Sequence, residues 1–124
     1  VMGPPGGQYR SDISTTVFLN GPEDYVGGEL VIRTSYGEQR LKPAAGDAVI
    51  YPSSSLHHIN EIASGERLVA VTWTQSMLRD PDKRELAFQL YQARESLLQT
   101  QPDSEAATQV DHAYVNLMRM WSEL

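Results

Sequence analysis

Between Asp12 and Trp73 the chain is cut into short β-rich runs with no stretch long enough for a crossover helix, and this limits its fold more than any other feature. The runs read ISTTVFLN, GPEDYVGG, ELVIRT, SYGE, QRLKPAAGD, AVIYP and RLVAVTW. Turn chemistry separates them, with the pair Gly27 and Gly28, Gly37 after a tyrosine, and Gly46 closing AAG. Runs recurring at roughly 8 to 12 residues with such turns predict an antiparallel sandwich or barrel, not alternating strands and helices.

At Asp80 the period changes. DPDKRELAFQLYQARESLL offers Asp80 as an N-cap, Pro81 at the first helical position, and an apolar face through Leu86, Leu90, Ala93 and Leu97. After the break TQPD, Ala107, Val110, Tyr114, Leu117, Met118 and Trp121 fall on one face of a second helix. The predicted organisation is a β module over residues 1–78 and a helical hairpin over 79–124, whose stripes read as packing surface against the β body or a second subunit.

Composition narrows the function. The 124 residues are 40% hydrophobic and 21% charged, the balance of a folded domain and not of a disordered chain. A net charge of -6 argues against a grip on phosphate backbones, so nucleic acid is not an expected partner. With no cysteine, only His, Asp and Glu are left as metal ligands, and a reducing compartment fits. No apolar run reaches the roughly 18 to 20 residues that span a bilayer and no signal peptide is legible, so a cytoplasmic protein without a membrane partner is expected. The opening VMGPPGGQYRSD, a Gly/Pro-rich loop starting on valine, reads like the interior of a longer polypeptide.

The segment SSSLHHINEIASGERLVAVTW carries the chemistry. Adjacent strand residues point to opposite faces, so only one of His57 and His58 can face a barrel interior. His57 shares its face with Glu61 only at about 13 Å along a strand, too far to clasp one ion. Ten residues on (67 minus 57), Arg67 opens RLVAVTW and shares a face with Val69, Val71 and Trp73. A buried guanidinium calls for an anion, and its planar fork suits a carboxylate. On the residues alone, a partly buried turn histidine and a rim arginine are the more common outcomes, and both readings stand at this point.

The combination of RSDISTTVFLN, the turn GGEL, LKPAAGDAVIYPSSSLHHINEIASGER, LVAVTW and the tail HAYVNLMRMWSEL resembles the PKHD-type hydroxylases. These are bacterial relatives of the prolyl 4-hydroxylases within the iron(II)/2-oxoglutarate-dependent dioxygenases. The resemblance covers nearly the whole chain. It implies a mainly β fold, a double-stranded β-helix or jelly roll, followed by a small C-terminal helical hairpin. It implies iron(II), 2-oxoglutarate as co-substrate, and ascorbate as a candidate addition. It assigns His57 as the distal iron ligand and Arg67 as the residue that pairs with the far carboxylate of 2-oxoglutarate, with no catalytic residue beyond the metal site. The implied reaction hydroxylates a small molecule or peptide while 2-oxoglutarate is decarboxylated to succinate.

One departure from the family pattern matters. No His-x-Asp or His-x-Glu occurs in the chain; the histidines are His57, His58 and His112. In the family that pair lies shortly before the segment matching QYRSDIS, so the missing ligands are expected upstream, and the 124 residues are expected to be inactive alone. The rival expectation is a non-catalytic jelly-roll module for binding or assembly; a cupin-like protein ranks last. Ser14 and Thr16, alternating on one face of a strand, are secondary candidates for touching the co-substrate, and a homodimer through the C-terminal helices is expected from their apolar stripes.

Overall fold

Strand β1 (Ile13–Phe18) shows how alternation builds the β module, though with an inversion: Ser14, Thr16 and Phe18 are buried while the residues between them are half-buried. Its inward face is two hydroxyls and a phenyl ring. The computed structural model describes residues 2–124, and its contacts divide the chain into two units, one ending at Gln75 and the other spanning Ser76–Leu124.

In the first unit a 3-10 turn (Pro22–Asp24) leads to β2 (Tyr25–Gly27), followed by β3 (Leu30–Thr34) and β4 (Gly37–Leu41). Then come β5 (Ala48–Pro52), β6 (Leu56–Ile59), β7 (Ile62–Gly65) and β8 (Val69–Thr74). The described strands pair antiparallel in the orders β5-β1-β8, β2-β7 and β4-β3-β6. This is the jelly roll that the strand spacing and the resemblance anticipate. Register places Ser14 opposite both Tyr51 and Trp73, Thr16 opposite Val49 and Val71, and Phe18 opposite Val69. Those residues therefore share one face of the sheet.

The core of this unit is Phe18, Tyr25, Leu30, Val31 and Tyr51. Phe18, Leu30 and Val31 are the largest fully buried side chains, each worth about 1.5–3 kcal/mol of apolar burial. Between β2 and β3, Gly27 and Gly28 both take positive φ, at 78° and 70°. A Cβ at Gly27 would collide with the Glu61 carbonyl oxygen, so the GG pair is required where the chain turns against β7.

The second unit is a helical hairpin of α1 (Pro81–Thr100) and α2 (Glu105–Trp121). Asp80 caps α1 as predicted, its carboxylate accepting from the Asp82 backbone N–H at 2.8 Å, with Pro81 at the first helical position. Ser104 caps α2 through the Ala107 N–H. The stripe predicted for α2 is observed, but that of α1 is rotated. Ala87 is buried, Leu90, Arg94, Leu97 and Leu98 are half-buried, and Leu86 and Ala93 are exposed. Polar and aromatic contacts set that rotation: Arg94 Nε donates to Asp111 at 2.6 Å and Tyr91 packs on Tyr114, which turns the 87–91–94 row toward α2. No helix of the described residues is long and apolar enough to cross a membrane.

Candidate functional site

The site builds outward from the inward face of β1. At one end of that face, Tyr51 on β5 lies opposite Ser14, and the Tyr51 ring meets the His57 imidazole edge-on with centroids 4.9 Å apart. Since β5 belongs to one sheet and β6 to another, this contact joins the two sheets at His57. The turn PSSS brings the imidazole there: Pro52 ends β5, Ser55 N–H donates back to the Pro52 carbonyl, and β6 starts at Leu56. His57 Nδ1 lies 2.8 Å from the Ser55 carbonyl oxygen. A carbonyl only accepts, so this contact is a hydrogen bond with the proton on Nδ1, which in a neutral ring leaves the lone pair on Nε2.

At the other end of the face sits Arg67. Its guanidinium carbon lies 5.4 Å from the centroid of the buried Phe18 ring, and its buried Nε has no hydrogen-bond partner among the described residues. A guanidinium stacked on an aromatic face, with an unpaired N–H withdrawn from water, is a cation placed to receive an anion. Ser14 and Phe18 are four strand steps apart, so the His57 and Arg67 ends are separated by about 13 Å along β1. Between them the face carries Thr16, Val49 and Val71, with Trp73 level with Ser14 at the His57 end. Arg67 itself stands outside the regular strand, since β8 begins at Val69 and not at Arg67 as the sequence suggested. The segment there is held instead by Asn20, whose amide donates to the Glu66 carbonyl at 2.7 Å and whose side-chain oxygen accepts from Leu68 N–H.

His58 goes elsewhere. Opposite Val31 in the register, it faces away from His57 and bonds the Asn60 side chain at 3.1 Å. The Asn60 amide in turn donates to the Glu29 carboxylate. That bond, with a backbone bond and the charges of Lys42 and Arg40, holds Glu29 below its ordinary pKa of 4.5. Both histidines of β6 are exposed. His112 lies in α2, beside Asn116.

Two hydroxyls that join the candidate Ser14, those of Ser11 and Ser53, escaped the sequence reading, which saw the tri-serine run as a turn only. Ser53 Oγ lies 2.8 Å from Ser14 Oγ and 3.0 Å from Ser11 Oγ, and Ser53 N–H donates to the Asp12 carbonyl. Nothing in the residue types distinguished Ser53 from Ser54 or Ser55. Asp12 is also buried, paired with Arg10 at 2.9 Å.

A 2OG-Fe(II) oxygenase superfamily model matches residues 3–75, a span that contains both His57 and Arg67. The chain belongs to the 2OG-Fe(II) oxygenase superfamily. This oxygenase-family chain also matches the PKHD-type hydroxylase C-terminal domain over residues 82–123, which is the helical hairpin. Over all of its length it is 53% identical to a PKHD-type hydroxylase of Thioalkalivibrio sulfidiphilus, of which it covers 55%. It is 48% identical over 97% of its length to one from Shewanella baltica, covering 54% of that protein, and 46% identical over 93% to one from Pseudomonas putida, covering 51%. The chain thus spans about half the length of the curated relatives it matches.

The superfamily takes iron(II) and 2-oxoglutarate, and the residues present fit the two unequally. Arg67, with its unpaired buried N–H, fits the dicarboxylate. For iron the fit fails within this chain: no three His, Asp or Glu side chains converge among the described residues, and His57 supplies a single imidazole.

Proposed function

We propose that this chain is the C-terminal part of an iron(II)/2-oxoglutarate-dependent hydroxylase's working machinery, with residues 1–78 as the oxygenase core and 79–124 as its helical domain. When bound together, iron(II) and 2-oxoglutarate supply oxygen activation coupled to decarboxylation of the keto acid to succinate. Within that chemistry Arg67 binds the distal carboxylate and so orients the co-substrate along the β1 face, while Phe18 backs the guanidinium and excludes water from it. His57 offers Nε2 as one metal ligand; the other protein ligands come from outside these 124 residues. The observation that carries the reading is the Arg67 Nε, buried and unpaired, in a chain of this superfamily. The hydroxylated substrate belongs to the small molecules or peptides, and the 124 residues alone do not turn over.

Anaerobic calorimetry with 2-oxoglutarate, with and without iron(II), tests this beside the full-length Thioalkalivibrio relative. The expected result is dicarboxylate binding by both proteins, abolished in this chain by Arg67→Ala, with iron-dependent tightening in the relative alone. Succinate production by the 124-residue chain would overturn its proposed inactivity. An Arg67→Ala variant that binds 2-oxoglutarate like the wild type would overturn the assignment of Arg67.

A second reading, a non-catalytic jelly-roll module for binding or assembly, draws on the single imidazole at the metal end. It expects carboxylate binding that is indifferent to iron(II) in both proteins. The exposed Phe88 and Met120 of the helical hairpin support a homodimer through these helices under either reading, which light scattering on the purified chain checks.

A further inference from the structure

We propose that Ser53 is a positioning residue for His57, acting through the turn that selects the His57 tautomer; the inference rests on the reading of His57 as a metal ligand. A neutral imidazole carries its proton on either nitrogen, and the hydrogen bond made by one nitrogen decides which is left to bind a metal. Here the deciding partner is a backbone carbonyl, that of Ser55, at 2.8 Å from Nδ1. A carbonyl orients a ring only as well as its turn is fixed, and this turn lies between two exposed ends: Ser54 is open to solvent and β6 is exposed along its length.

Ser53 fixes it. Its N–H donates to the Asp12 carbonyl at 2.9 Å, and its hydroxyl reaches both Ser14 at 2.8 Å and Ser11 at 3.0 Å. A hydroxyl has one proton and two lone pairs, so Ser53 can meet both of these oxygens at once, which fixes its rotamer, while its N–H fixes its backbone. Ser14 is 3% exposed and belongs to the inward face of β1, so the turn is tied to a buried position of a central strand, two residues from the carbonyl that holds His57. The Tyr51 ring sets the plane of the imidazole from its other side. Ser54 and Ser55 place no side chain in this network; the contact that Ser55 makes with His57 is backbone, and its anchor is the Ser53 hydroxyl.

The test reads the tautomer directly by nitrogen-15 NMR of the histidine-labelled 124-residue chain, at a pH where the rings are neutral, with His57 assigned by loss of its signals in His57→Gln. The wild type should show Nδ1 protonated and Nε2 bare. Ser53→Ala should shift His57 toward the opposite tautomer or an average of both, leaving His58 and His112 unmoved, and Ser53→Thr, which keeps the hydroxyl, should restore the wild-type pattern. A wild-type His57 protonated on Nε2 would overturn the proposal without any variant, and so would a folded Ser53→Ala chain whose His57 pattern does not change. Should Ser53→Ala not fold, Ser11→Ala carries the test by removing one of the two hydroxyl bonds, with a partial shift expected and no shift counting against the proposal. Neither iron nor 2-oxoglutarate enters this experiment, so its failure leaves the oxygenase reading standing, and failure of 2-oxoglutarate binding leaves the tautomer result intact.

Discussion

The two three-stranded sheets of the β module share an antiparallel arrangement around one central strand and differ in what those central strands bury. In β5-β1-β8 the central strand buries every second residue, and the Arg67 guanidinium lies against that buried face. In β4-β3-β6 the central strand buries Leu30 and Val31 side by side, while the flanking β6, which carries His57, is exposed throughout. The Arg67 end of the site is thus backed by this chain's own core, and the His57 end stands open with its imidazole held by local contacts. A cation can be built into a single sheet with one aromatic beneath it, whereas a metal needs ligands from several strands at once.

Truncating one apolar side chain in each sheet gives the largest contrast. Phe18→Ala, at 1% exposure, should cost about 3–5 kcal/mol, while Leu56→Ala on β6, at 64% exposure, should stay within about 0.5 kcal/mol. Urea denaturation of both variants checks this, and equal losses would mean that β6 is as enclosed as β1.

The enclosed end should also be the chemically demanding one. Arg67→Lys keeps the charge but loses the planar fork and the stacking on Phe18, so 2-oxoglutarate affinity should fall by roughly 10- to 100-fold, the loss of one charge-assisted hydrogen bond. Calorimetry that finds lysine equivalent to arginine would reduce the site to a point charge.

How much of this was legible beforehand follows the same division. Alternation in ISTTVF, the GG turn and the Asp80-Pro81 helix start are local signals, and each is realised where the residues placed it. Arg67 was legible as a guanidinium among valines, although its strand starts two residues later because Asn20 takes over the hydrogen bonds of that segment. The exposure of β6 was not legible, since LHHI has the composition of a half-buried strand and only its neighbours decide what covers it. Nor was the Ser53 network, because three serines in a turn look alike until β1 is laid beside one of them. The α1 face came out rotated for a related reason: an arginine reaching Asp111 outweighed the apolar Leu86 in setting which row meets α2.

If the sheets are joined at Tyr51 and His57, that contact should be measurable as a coupling. A double-mutant cycle of Tyr51→Leu and His57→Gln should give an interaction of about 0.5–1.5 kcal/mol, the usual worth of an edge-on aromatic pair. Strict additivity would show that the imidazole is held by the Ser55 carbonyl alone.

The smallest effect belongs to the outer face of the exposed sheet. Glu29 is held below 4.5 first by the Asn60 amide, then by its backbone bond and the charges of Lys42 and Arg40. A carboxyl with a lowered folded pKa contributes stability that is present above its unfolded value and lost as the pH falls through the folded one. The window therefore lies below 4.5, so at neutral pH the wild type should be slightly more stable than Glu29→Gln, whose amide oxygen still accepts from Asn60 but without the carboxylate charge. On acidification the wild type should lose slightly more stability than the variant, with denaturation midpoints converging. Because Glu29 is only half-buried and its charge partners are reached through solvent, salt should weaken that convergence, whereas it should leave the Phe18→Ala loss unchanged. A salt-resistant pH effect at Glu29 would place it, and the His58-Asn60-Glu29 chain with it, in an enclosed environment like that of β1.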